Sequence, residues 1–167
     1  MDSIQFIKEQ FEHMEWADKK VWQAINKLPQ PVTDDRIQKL LYHYHGTQYA
    51  FLSVWRKLPI SVPDTNNFNL SSFSDWKDKN YCDLKSFLAN LKPGDIDQVI
   101  ELPWEKDIAK KYGKPLSPAT LLETMMQVAS HSSYHRGQVN ARLREIGGEP
   151  PLVDFIAWIW MGKPKAG

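Results

Sequence analysis

The chain has 167 residues, a length typical of one domain, and its 21 Lys and Arg residues nearly balance its 20 Asp and Glu residues. This balance produces no overall field that would concentrate nucleic acid or an anionic membrane surface, so we expect neither as a partner. One cysteine excludes an intramolecular disulfide and a Cys-rich zinc site. Together with the lack of a signal-peptide pattern, it predicts a cytoplasmic protein with a single domain over residues 1–167.

Helical spacing of apolar residues predicts two long helices in the first third of the chain. The first covers residues 4–28 and ends at a Pro-Gln-Pro sequence. The second follows Thr33 and Asp34, two residues that can cap a helix, and ends before Pro59. A connection rich in Pro, Asn and Ser then has no periodicity, which is typical of a segment that crosses a bundle or covers a site.

A capping-box pattern at residues 72–75 predicts the start of a third helix, which continues to Leu91. Residues 99–116 contain two short β-prone pieces separated by charged residues, and we predict an irregular hairpin there. Ser117 and Pro118 predict the start of a fourth long helix, and Gly147 is its predicted C-terminal cap.

A short apolar helix is predicted at residues 153–161. Four long amphipathic helices without a credible sheet indicate an all-α fold, a four-helix bundle. The two long connections allow crossovers in place of a plain up-and-down topology.

Two histidines lie four residues apart in "HSSYHRGQV", residues 131–139. On a helix, His131 and His135 leave the same face with Cβ atoms about 6 Å apart, near enough to share one divalent ion. The alternative is two partly buried histidines that are hydrogen-bonded within the bundle. A metal site needs a third ligand, and the second predicted helix offers His43 and His45, which point about 200° apart. Helical periodicity favours His43 only slightly.

Missing motifs narrow the chemistry of this site. Ser132 stands where a His-Glu-x-x-His zinc protease would have its glutamate, and no Glu-x-x-His occurs to support a di-iron carboxylate bundle. Three neutral imidazoles add no ligand charge, so a bound ion would keep its Lewis acidity toward water or a thiol. His13 is the spare histidine that would close the coordination sphere of a purely structural site.

Other polar or small residues near the motif have more than one interpretation. Arg136 is predicted to form an ion pair of the bundle or of a dimer, and Gly137 to allow close helix approach. Gln138 shares the face of the histidine pair and would orient a ligand or a bound water, or would be a plain buried glutamine. Asp154 would support the site as a nearby carboxylate or would only cap the terminal helix. Cys82 is expected to be a small core residue.

Residues 131–155, "HSSYHRGQVNARLREIGGEPPLVDF", resemble the DinB/YfiT-like metalloenzyme family, which shows a His-x-x-x-His-Arg-Gly-Gln run, a Leu-Arg continuation, a Gly-rich stop and a later Asp. "LLYHYHGTQ", residues 40–48, is similar to the family's second-helix pattern, with His43 in the ligand place and Gly46 at the small position. In the first helix, Asp18 stands where the family often has asparagine.

The resemblance implies that His43, His131 and His135 hold one divalent ion, with nickel, zinc, iron or manganese as candidates. It also implies a four-helix bundle with long crossover connections, commonly a homodimer, and the apolar sequence at residues 155–161 agrees with self-association. Some relatives are thiol S-transferases that act with bacillithiol, mycothiol or glutathione.

The expected function is therefore a metal-dependent transferase or hydrolase. Its ion would activate a low-molecular-weight thiol, or a bound water, against a small electrophile. The alternative is a non-catalytic bundle that binds a metal or another ligand in a stress response.

Overall fold

A computed structural model describes residues 2–28, 34–64 and 69–166. The prolines predicted to close the first helix and the cap candidate Thr33 lie outside the described residues. In chain order the elements are α1 (Ser3–Asn26), α2 (Asp35–Trp55), α3 (Leu70–Ala89), a short 3-10 helix (Pro93–Asp95), β1 (Val99–Ile100), α4 (Glu105–Tyr112), β2 (Ala119–Thr120), α5 (Leu121–Glu145) and α6 (Phe155–Trp160). The predicted all-α fold is confirmed, and no described helix is both long and apolar enough to cross a membrane.

Side-chain caps explain where the first three helices begin. Asp2 caps α1, and Asp34 caps α2 by accepting a hydrogen bond from the backbone N–H of Ile37 at 2.9 Å, as predicted. The cap of α3 is Asn69, which accepts from the N–H of Ser72 at 3.1 Å. The capping box predicted at residues 72–75 was therefore wrong, and the N-cap lies three residues earlier.

The segment predicted as a hairpin, residues 99–116, contains one of two paired strands and a helix, and the partner strand lies beyond it. β1 and β2 pair antiparallel, with Val99 opposite Thr120 and Ile100 opposite Ala119. Between them the chain forms α4, which ends at Gly113 in the left-handed region with φ +67°. The hairpin prediction was therefore right only for its first strand: the partner strand lies at residues 119–120, in the predicted fourth helix, and α4 occupies the place of the second predicted strand.

The start of α5 also differs from the prediction at Ser117 and Pro118. Pairing with β1 holds residues 119–120 in an extended conformation, so the helix begins only at Leu121. Thr120 caps it by accepting from the N–H of Glu123, whose carboxylate accepts in return from the Thr120 N–H at 2.7 Å. At the other end Gly147 adopts φ +83°, which confirms its predicted role in ending the helix.

Two apolar clusters fill the bundle, one toward each end of the long helices. Each cluster draws on all four long helices, and α5 lies against both α1 and α2. The first cluster includes Phe11, Phe51, Leu84 and Met125. The second includes Val21, Leu41, Phe73 and Val139. The short helix α6 packs on α1 through Trp158, which contacts Trp16 and Ala17.

A layer of buried polar residues separates the two apolar clusters. At its centre is Asp18 of α1, which is fully buried. Its carboxylate accepts hydrogen bonds from Arg136 of α5 at 2.7 Å, from Gln48 of α2 at 3.0 Å and from the hydroxyl of Tyr81 of α3. Burial alone would raise the pKa of Asp18, but Arg136 and these hydrogen bonds lower it below its ordinary value, so the carboxylate is ionised.

His45 extends this polar layer along α2. Its Nε2 accepts from the indole N–H of Trp22 at 2.9 Å, so its proton is on Nδ1, which donates to the amide oxygen of Gln48 at 2.9 Å. The Gln48 amide nitrogen also donates to Ser132 of α5 at 2.9 Å. Burial lowers the pKa of His45 to about 4, so this histidine is neutral at pH 7.

Replacing Asp18 should test how far the bundle depends on the polar layer. Asp18→Ala leaves the buried guanidinium of Arg136 without a counter-charge, and we expect a loss of about 3–5 kcal/mol in the free energy of unfolding. Urea unfolding at pH 7 measures this loss. The matched control is Asp83→Ala, which removes a partly exposed ion pair with Arg56 and should cost about 1 kcal/mol or less. Equal losses in the two variants would contradict a central role for Asp18.

His45 should make stability depend on pH. Its pKa in the folded protein is below that of the unfolded chain, so between about pH 6.5 and pH 4 only the unfolded state takes up the proton. The free energy of unfolding should therefore fall as the pH decreases, by about 2 kcal/mol from pH 7 to pH 5 for this residue. The His45→Gln variant, measured without metal, should lack the part of this decrease in the free energy of unfolding that comes from residue 45. Parallel pH dependences of variant and wild type in urea unfolding would refute this role.

Candidate metal centre

Three histidines from two helices meet at one side of the polar layer. His131 and His135 lie one turn apart on α5, and His43 comes from α2. One ligand nitrogen from each lies within 4.8 Å of the other two. The Nε2 atoms of His131 and His135 are 3.1 Å apart, and the ring of His43 lies 4.5 Å from that of His135 and 5.1 Å from that of His131, between centroids.

The position of His43 follows from the way in which α2 is turned. His45 and Gln48 point into the buried layer, so His43, two residues before His45, lies on the outer side that faces the α5 pair. The structure thus separates the two histidines that periodicity left nearly equal. His43 joins the pair, whereas His45 is fully buried and bonded to Trp22.

The distances and protonation of the histidines fit a divalent ion. Two nitrogens that each lie about 2.0–2.1 Å from a tetrahedral ion are about 3.3 Å apart, close to the separation of the two Nε2 atoms. Burial, then the neighbouring His135 and His43, lower the pKa of His131 to about 4. Burial and then His135 also lower the pKa of His43. Both imidazoles are therefore neutral near pH 7, the form that binds metal.

Gln138 supports the site from behind His135. Its amide oxygen lies 2.7 Å from Nδ1 of His135, so it accepts the Nδ1 proton and leaves Nε2 with a free lone pair. This arrangement also fixes the ring plane. Nδ1 of His131, in contrast, is buried and has no hydrogen-bond partner within the described part of the chain.

Asp154 and His13 are not brought to the three histidines. Asp154 is at the N-terminal end of α6, and its side chain makes no capping hydrogen bond there. His13 of α1 lies within 2.9 Å of the carbonyl oxygen of Val153, to which its Nε2–H donates. Among the residues that the structure describes, the candidate metal group contains these three histidines and no fourth His, Cys, Asp or Glu.

The structure also tests the predictions made for Arg136, Gly137 and Cys82. Arg136 is confirmed as an ion-pair partner within the bundle, since it binds Asp18. The prediction for Gly137 was wrong, because a Cβ atom there would meet nothing within 4 Å and no helix approaches closely. Cys82 is exposed and is not a core residue, since it lies one position beyond the buried Tyr81 and so turns about 100° away from the core.

Sequence reasoning missed the polar layer that positions the histidines. Gln48 and Ser132 lie at core positions of the predicted apolar faces, and Asp18 interrupts the face of the first helix. The signal that could have revealed the layer is this polar interruption at a matching level in several helices. Apolar periodicity alone treats such residues as exceptions.

Comparison with known proteins agrees with this helical architecture. The model of the DinB family matches residues 2–166. Protein DinB of Bacillus subtilis (strain 168) is similar to this chain, with 20% identity over 162 residues that cover 93% of this chain and 94% of that protein. Because the family match extends over nearly the whole chain, this protein belongs to the DinB family.

Proposed function

We propose that this protein is a divalent-metal-dependent transferase that activates a low-molecular-weight thiol against a small electrophile. The observation that supports the proposal is the open three-histidine group, in which His43 is exposed and no fourth ligand closes the site within the described chain. A divalent ion held by His43, His131 and His135 would supply a Lewis acid that lowers the pKa of a thiol or water bound beside it. Open coordination is typical of catalytic sites, whereas structural zinc sites are closed by four protein ligands.

The nucleophile of this reaction is assigned to a cosubstrate because the residues that the structure describes offer none at the site. Cys82 is on α3 and is absent from the histidine group. The hydroxyl of Ser132 donates to the carbonyl oxygen of Val128 at 2.8 Å and accepts from Gln48, so it is committed to the polar layer. A thiol from solution, or water in a hydrolase, is the remaining nucleophile.

The residues around the histidines orient the ligands and leave room for a substrate. Gln138 keeps the proton of His135 on Nδ1 and holds the ring in place. The ring of Tyr134 packs edge-on against His135 at 5.0 Å between centroids and is 66% exposed, so it offers an aromatic surface for the organic part of an electrophile. Among the candidate metals, imidazole donors favour zinc, nickel and iron over manganese.

Metal content should depend on His43 specifically. We expect protein prepared without a histidine tag to carry about one divalent ion per chain, and His43→Ala to lower metal affinity by about a hundredfold or more because one of three ligands is lost. Elemental analysis and competition with a chelating dye measure occupancy and affinity. Thr47→Ala is the matched control, one turn further along α2, and should leave both unchanged. His45 is unsuitable as a control because its loss disturbs the buried layer.

Gln138→Ala extends this series without removing a ligand. It should weaken metal binding by about 10–100-fold, because His135 then loses the acceptor that sets its tautomer. Circular dichroism of each variant checks that the helices are intact. Wild-type protein without metal, or equal metal loss in His43→Ala and Thr47→Ala, would refute the proposed centre.

The activity itself can be tested with metal-loaded protein, a panel comprising bacillithiol, mycothiol and glutathione, and an aryl halide electrophile. We expect thioether formation that requires the ion and falls by about a hundredfold in His43→Ala. Cys82→Ser should retain full activity, because that thiol is not the nucleophile. Full metal occupancy with neither thiol transfer nor hydrolysis of a matched ester would instead support the non-catalytic metal-binding function.

A further inference from the structure

A cavity lies on the side of α5 that faces away from the three histidines. Its volume is about 560 Å³, and its walls come from α1, α5 and the segment that leads into α6. Ser133 and Gly137 line it. These residues are about 200–240° around the helix axis from His131, so they face away from the candidate metal centre. Tyr134, which also lines the cavity and packs against His135, lies at the border between the two sites.

One wall of this cavity carries hydrogen-bond donors. Arg136 lines the cavity, and its side chain is only 3% exposed. Its Nη1 donates to Asp18, and the described residues provide no other hydrogen-bond acceptor for its guanidinium group. Because a guanidinium has five N–H donors, the part of Arg136 that lines the cavity is suited to the oxygen atoms of a ligand carboxylate.

Another wall carries acceptors. His13 uses its Nε2–H on the carbonyl oxygen of Val153, so Nδ1 is left as an acceptor. Burial lowers the pKa of His13, so the imidazole is neutral. Asp154 also lines the cavity, and its side chain makes no capping hydrogen bond. A ligand ammonium group would find both acceptors here.

Apolar surface and an open helix face complete the cavity. Met14, Met126 and Phe155 line it between the polar walls. Gly137 lies in the middle of α5, where glycine costs about 0.5–1 kcal/mol relative to alanine, and no neighbouring atom requires its small size. The absence of a side chain at Gly137 leaves this wall of the cavity open.

We propose that this cavity binds a free α-amino acid with an apolar side chain. The carboxylate would bind Arg136, the ammonium would bind Asp154 and Nδ1 of His13, and the side chain would lie against the two methionines and Phe155. A simple anion would face the Asp154 carboxylate and a simple cation would face Arg136, so a zwitterion is the ligand class that satisfies both walls. The volume is within the range of about 300–1,000 Å³ that is usual for small-molecule sites.

Calorimetry with the metal-loaded protein tests this proposal. The probes are L-leucine, L-methionine and L-phenylalanine, with two truncated analogues of leucine: 4-methylpentanoate, which lacks the ammonium, and 3-methylbutylamine, which lacks the carboxylate. We expect at least one amino acid to bind with a Kd of about 1 mM or less, and each leucine analogue to bind at least about tenfold more weakly than leucine. No binding of any of the three amino acids at about 10 mM, or equal binding of leucine and its analogues, would overturn the proposal.

Variants then locate the binding. Gly137→Leu should abolish amino-acid binding because its side chain projects into the open cavity, whereas Gly137→Ala should retain it and should also stabilise α5. Asp154→Asn should weaken leucine binding by about tenfold without weakening that of 4-methylpentanoate, which has no ammonium group, and Asp97→Asn is the control for loss of an exposed acid elsewhere.

Metal occupancy should be unchanged in all four variants. Unaltered leucine binding in Gly137→Leu would overturn the proposal. Light scattering supplies a second outcome that would overturn it. If the wild type binds no amino acid and Gly137→Leu dissociates a dimer, this face of α5 is an interface between chains.

Discussion

The buried carboxylate of Asp18 is the constraint on which the geometry of this bundle depends. Apolar packing above and below it is not directional and tolerates sliding between helices. A buried charge tolerates no such change, because an unpaired carboxylate in the core is far more costly than a shifted leucine. Since Asp18 binds Arg136, Gln48 and Tyr81 on three different helices, a displacement of any one by a turn would break a hydrogen bond to it.

The candidate metal centre takes its geometry from the same layer. On α5, the inward-pointing Ser132 and Arg136 each follow a histidine directly, and on α2 Gln48 bonds Ser132 across the helix interface. This contact sets the height and rotation of α2 against α5. His43 therefore reaches the level of the α5 pair, where its ring lies against those of His131 and His135.

The parts of the structure that sequence could predict are those set by local spacing. Apolar periodicity located the long helices, and the four-residue spacing of His131 and His135 was enough to place both on one face. The start of α5 was wrong because residues 119–120 pair with a strand twenty residues earlier, a contact that no local pattern contains. Periodicity alone left the choice between His43 and His45 nearly even for the same reason, since the burial of His45 depends on Trp22 from another helix, and the family resemblance was needed to favour His43.

The motif at residues 131–137 shows how one helix can serve three environments. Because successive residues turn by about 100°, pairs four apart share a direction. Residues 131 and 135 face His43, residues 132 and 136 face the polar layer, and residues 133 and 137 face the cavity between α5, α1 and the segment that leads into α6. Arg136 belongs to two of these environments, because one nitrogen binds Asp18 while the side chain also lines the cavity. The polar layer therefore forms part of the wall of the cavity. It also orients the candidate metal centre, because His131 and His135 directly precede Ser132 and Arg136 of that layer in the sequence.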